Sequence, residues 1–209
     1  MENFDNDYSF DDEGDFFNTW SEKDWKQYIT KNDLQVSLFL SLFVSSRNIV
    51  NHLDHIAVQM GWAQNQEGSF PQKFFRDHQP NTIHTHPVLT ITRGLYHFLS
   101  KNWEIFLESS KTTDVKLCWT YAQLLNHGER NALLGIACMN AGDESLAVCH
   151  FKNALQILNF TMDLIQKIPK ETLKANVIFH DALTACFDLR EVWIKVMESC
   201  KNPEPEDDE

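Results

Sequence analysis

Apolar residues recur every three or four positions along most of this chain, and no stretch alternates with a period of two. That periodicity predicts helices and no sheet. The most regular case lies near the C-terminus. Ala175, Phe179, Ala182, Cys186, Leu189, Trp193, Val196 and Cys200 alternate by four and three, a seam that predicts a helix over about 172–200. Ala147, Phe151, Ala154, Leu158, Met162 and Ile165 predict another over about 144–168, with Pro169 to end it. Pro87 suits the first turn of a helix over about 87–109. A further helix begins near Thr112 or Thr113 and reaches Ala141, with Gly128 as a place to bend or break.

Towards the N-terminus, Ser21-Glu22-Lys23-Asp24 reads as a capping box opening a short helix that carries Trp25 and Tyr28. Asn32-Asp33 then caps a long helix over roughly 33–62, with the apolar stripe Leu34, Leu38, Leu42, Ile49, Leu53, Ile56 and Met60. Residues 63–86 hold Gly68, Pro71, Pro80 and three histidines and form a long loop; Phe70, Phe74 and Phe75 suggest that part of it packs back on the body. The expected fold is all-α: an antiparallel bundle of five to six helices, four of them long, joined by short connections. It fills one domain, residues 19–201.

Charge sets the ends apart. The 209-residue chain has a formal net charge of −12, but residues 1–20 contain seven acids and 202–209 five, with no base in either. The body between them is balanced at 18 acids and 18 bases. The segment 1–18, where Phe4, Tyr8, Phe10, Phe16 and Phe17 interleave with the acids, is expected to be disordered, as is the tail 202–209. Acidic ends repel nucleic acid and anionic membrane, so neither is an expected partner. Arg93, Lys101, Lys116 and Arg130 make no basic stripe. The longest apolar run, 38–44, is too short to span a bilayer. Five dispersed cysteines without a CxxC, and an N-terminus without a signal-peptide pattern, point to free thiols in the cytoplasm.

One stretch carries a local likeness. In Gly128–Leu158 two helical segments flank Asn140-Ala141-Gly142-Asp143, where Gly142 suits the left-handed position past a helix end and Asp143 the next N-cap. Leu134, Gly135, Ala147, Phe151 and Ala154 fall where a tetratricopeptide repeat has its Leu, Gly, Ala, Phe and Ala. Cys138 replaces its aromatic, Asn131 its Trp and Asn159 its final Pro. The stretch resembles one such unit, about residues 128–161, and implies a close-packed hairpin and a protein-binding role. Helices of this length place the hairpin at one corner of a bundle rather than in a repeat array.

Three groups of residues could carry chemistry. Arg47-Asn48-Ile49-Val50-Asn51-His52 resembles the RNxxxH pattern of HEPN-type ribonucleases, helical bundles whose Arg and His form an RNA-cutting site, usually across a dimer. Within a helix over 33–62, Arg47 and His52 would diverge by about 140°. His52, His55, His150 and His180 lie on or beside apolar stripes, and a divalent metal would need three or four such groups to converge. HExxH and the paired Glu-x-x-His of di-iron bundles are absent. Nucleophilic chemistry by Cys118, Cys138, Cys149 or Cys186 is the third candidate; Cys138 and Cys149 in the hairpin and Cys186 on the seam read as packed, inert thiols. No phosphate-binding glycine loop, GxSxG or other cofactor motif is present.

The expectation is therefore a non-catalytic helical module that binds a protein partner, with a homo-oligomer among the options. The alternative is a hydrolase, either a HEPN-like ribonuclease using Arg47 and His52 or a metal-dependent enzyme using the histidines.

Overall fold

The computed structural model describes residues 21–62, 86–110, 114–168 and 172–201. Six helices account for nearly all of them: α1 (Glu22–Ser46), α2 (His52–Gln59), α3 (Pro87–Ser109), α4 (Val115–Asn140), α5 (Glu144–Lys167) and α6 (Leu173–Lys201). No strand occurs among the described residues, and no helix there is long and apolar enough to cross a membrane. The expectations for 1–18, for 202–209 and for most of the loop 63–86 fall outside the described residues.

Local chemistry sets the helix ends. At α1 the capping box forms, with the Asp24 amide donating to Ser21 Oγ while the Ser21 amide donates to Asp24 Oδ2 at 3.0 Å. Asp114 caps α4, one or two residues beyond the expected start, and Asp143 caps α5, accepting from the Leu146 amide at 3.0 Å. Gly142 takes the left-handed conformation at φ 79°, which closes the α4–α5 turn within three residues. Pro87 sits in the first turn of α3 behind an N-cap from His86.

The core is built by α3 to α6, each antiparallel to its chain neighbour. Trp193 is fully buried in the C-terminal half of α6, its indole Nε1 donating to Thr92 Oγ1 of α3 at 3.3 Å. Tyr96 stacks on it with ring centroids 6.2 Å apart, and Phe151 of α5 lies 6.4 Å away. Near the other end Trp103 of α3 stacks on Tyr121 of α4 at 4.2 Å, and Phe106 meets Phe179 at 4.7 Å. The full stripe expected on α5 is buried, as is the α6 seam apart from the half-buried Cys200.

Gly128 does not break α4, which runs through it as one helix. A Cβ at that position would collide with the Tyr96 hydroxyl, so the glycine makes room for the phenol. In the hairpin, Gly135, Ala147, Phe151 and Ala154 are buried, with the Phe151 ring lying over Gly135. Leu134, also placed in the repeat pattern, is exposed instead.

The N-terminal helices depart most from expectation. Asn32 and Asp33 cap nothing. They lie inside α1, where Asn32 is buried and donates from Nδ2 to the Tyr28 carbonyl at 3.1 Å. The helix expected over 33–62 breaks at 47–51, where Asn51 is left-handed at φ 56°, and α2 folds back along α1. The buried face of α1 carries Phe39 and Phe43, which cover Gly94 and Phe98 of α3. These pairings make α1 run in the same sense as α3. Leu34, Leu38 and Ile49, placed in the core stripe by their spacing, point outward. Two apolar faces compete along α1, and the aromatic one wins because two Phe rings bury more area than two leucines.

Candidate functional site

The break between α1 and α2 re-aims the two residues of the RNxxxH pattern. Because the helix ends at Ser46 and restarts at His52, Arg47 and His52 no longer diverge as they would on one continuous helix. Both turn towards α6. Arg47 forms an ion pair with Asp181, and His52 Nε2 lies 2.9 Å from Asp188 Oδ2. Asp181 and Asp188 are seven residues apart on α6, and so share its face after two turns.

The two pairs differ in depth. Asp188 and His52 keep only 10% and 14% of their side-chain surface exposed, against 17% and 34% for Asp181 and Arg47. The Asp188 hydrogen bond raises the His52 pKa above its ordinary value, burial works against this, and the nearby Asp188 and Glu191 charges and the Ile49 carbonyl add to the rise. The carboxylate and the carbonyl both favour the protonated ring. Phe43 packs edge-on to the ring with centroids 5.6 Å apart. Chemically this is a clamp. Each cation already faces a carboxylate, and a phosphodiester approaching Arg47 and His52 would also meet two acids.

Of the other histidines considered as metal ligands, His180 borders this site through Asp181, whereas His55 is engaged within its own helix. His55 is exposed and within 2.7 Å of Gln59 on its own helix. His180 is 82% exposed at the side chain, with Nδ1 3.8 Å from Asp181. His150, half-buried on α5, has Nδ1 buried with no hydrogen-bond partner among the described residues. No group of three or more His, Cys, Asp or Glu is arranged to hold a metal ion among the described residues. His86 is held neutral as the N-cap of α3, accepting from the Val88 amide at 3.2 Å, and burial lowers its pKa to about 4. Of the thiols, Cys186 is buried and pushed up to about 12 by burial, first, and by the Asp188 charge. Cys149 is exposed rather than packed in the hairpin.

A second surface is the outer side of α1. From Leu34 to Ser46 the sequence LQVSLFLSLFVSS holds no charged residue. Of these, Leu34, Ser37, Leu38, Ser41, Val44 and Ser45 are exposed. Ser37, Ser41 and Ser45 form a row four residues apart, and each hydroxyl donates to a carbonyl of its own helix at 2.9 Å. With those donors spent, the row behaves as a shallow groove rather than a polar stripe. Leu34, Leu38 and Leu42 wall it on one side and Leu40 and Val44 on the other. Sequence spacing placed Leu34, Leu38 and Leu42 in the core stripe; Leu42 does pack against the core, whereas Leu34 and Leu38 face outward. Comparison with protein-family models, curated proteins and solved structures finds no match for this chain.

Proposed function

We propose that this chain is a non-catalytic helical protein-interaction module that docks its partner on the outer face of α1. The observation that carries the reading is the charge-free, apolar surface between Leu34 and Ser46. Exposed helix faces are ordinarily charged, and a contiguous uncharged apolar face on a soluble bundle marks an interaction site. The clamped state of Arg47 and His52 supports the same reading, because an RNA-cutting site needs those cations free to meet phosphate. A cytoplasmic setting belongs to this proposal and is supported by five free cysteines.

The ribonuclease alternative keeps one observation in its favour: the helix break sets Arg47 and His52 on the same side, towards α6. Two variants separate the readings. Leu38→Lys places a charge on the docking face and is expected to shift the size at which the chain elutes from a native extract, with melting unchanged. Arg47→Ala is expected to leave that size unchanged. The interaction reading fails if the wild-type chain cuts a mixed RNA substrate and Arg47→Ala and His52→Ala both abolish the cutting.

A further inference from the structure

We infer that the partner seated on the outer face of α1 is a second copy of this chain, paired through α1 in antiparallel fashion; this rests on the interaction reading above. Shape supplies the first argument. The serine groove and the leucine ridge are adjacent rows of the same helix, both running along the four-residue direction. A two-fold rotation lays the ridge of one copy, centred on Leu38, into the groove of the other, centred on Ser41, and the reverse contact forms at once. Ridge-into-groove packing of four-residue rows is the commonest helix crossing, and mutual contact is what an isologous dimer requires.

Charge selects the orientation. Residues 22–33 of α1 hold three acids, Glu22, Asp24 and Asp33, and three bases, Lys23, Lys26 and Lys31, while 34–46 hold none. Parallel pairing would set Lys31 beside Lys31 and Asp33 beside Asp33. Antiparallel pairing keeps each charged half, residues 22–33, beyond the partner's neutral segment. It also brings Lys31 towards the C-terminal turn of the partner helix. That turn has no basic residue of its own, and its C-cap Arg47 is committed to Asp181. A charged or strongly polar partner would instead lose hydration against Leu34, Leu38 and Val44, which offer it no hydrogen bond.

Area fixes the strength. Thirteen helical residues span about 20 Å, and two such faces bury on the order of 800–1,000 Å² in total, at the weak end of specific interfaces. An interface of this size is expected to be weak and to exchange with monomer.

Sedimentation velocity of the full chain over about 5–500 µM tests this. The expected result is a concentration-dependent shift from monomer to dimer, with the dissociation constant raised at least about tenfold by Leu38→Lys. Ser41→Cys is expected to give a disulfide dimer on oxidation, above the background of the parent with its exposed Cys149, and Lys31→Cys is not. A wild type that stays monomeric throughout overturns self-pairing while leaving the interaction reading standing, which falls only to the RNA-cleavage result. A dimer indifferent to Leu38→Lys, or one that Lys31→Cys also traps, overturns the proposed face or its orientation.

Discussion

His52 and Asp188 meet at 2.9 Å across 136 positions of sequence, and the contact fastens the turn between α1 and α2 to the middle of α6. Its protonation carries a stability consequence. The folded-state pKa of His52 is raised, so its contribution is fully present below the unfolded value, about 6.5, and is lost as pH rises through the folded value. The urea midpoint is expected to fall from pH 6.5 upwards. His52→Gln keeps a donor for Asp188 but cannot titrate, and is expected to flatten that limb.

His86 acts in the opposite direction. Its folded pKa is lowered to about 4, so between about 6.5 and 4 the unfolded chain binds the extra proton and stability falls as pH falls. The slope from this one group is at most about 1.4 kcal/mol per pH unit. His86→Asn retains an N-cap acceptor and is expected to shallow the acid limb in urea titrations at pH 4.5, 5.5 and 6.5.

Replacing Trp193 tests the core. Trp193→Ala removes a fully buried ring and leaves the Thr92 hydroxyl without its indole donor. The expected loss is about 3–5 kcal/mol in denaturant titration. Ala147, also fully buried, lies between α4 and α5. Ala147→Leu overpacks that contact and is expected to cost about 1–3 kcal/mol.

The two clamps should separate in mutants. Arg47→Ala removes the shallower partner and is expected to cost under about 1 kcal/mol. Asp188→Ala strips the acceptor from a buried imidazole, and about 1–3 kcal/mol is the usual scale for an unsatisfied buried donor. Thermal melts of both variants at pH 6 check the ranking. Equal losses would mean that the depth difference between the pairs carries no weight.

Where one face of a helix was apolar, the sequence was legible. The α5 stripe and the α6 seam are buried as their spacing predicts, and Gly142 and Asp143 form the turn that their residue types imply. Misreading arose where local signals had two uses. Asn32-Asp33 has cap chemistry but lies mid-helix, where Asn32 satisfies itself on the Tyr28 carbonyl. Leucines and phenylalanines both recur at helical spacing on α1, and only tertiary contact with Gly94 and Phe98 decides between them. The turn at 47–51 has no glycine or proline; Asn51 supplies its left-handed residue, a role Asn tolerates but does not announce. The candidate clamp was half visible, since Arg47 and His52 were singled out, whereas Asp181 and Asp188 carry no local signal and lie 134 and 136 positions away.

That separation orders the assembly of the molecule. The α4–α5 hairpin closes through a three-residue turn, so its contacts form at small entropic cost. The clamps on α6 close a ring of more than 130 residues and reward the chain only after α3 to α6 are already in place. The arm formed by α1 and α2, which holds α6 through these two clamps, is expected to detach before the rest of the bundle opens. Its amides are expected to exchange through openings smaller than global unfolding, while those around Trp193 wait for the whole chain to open.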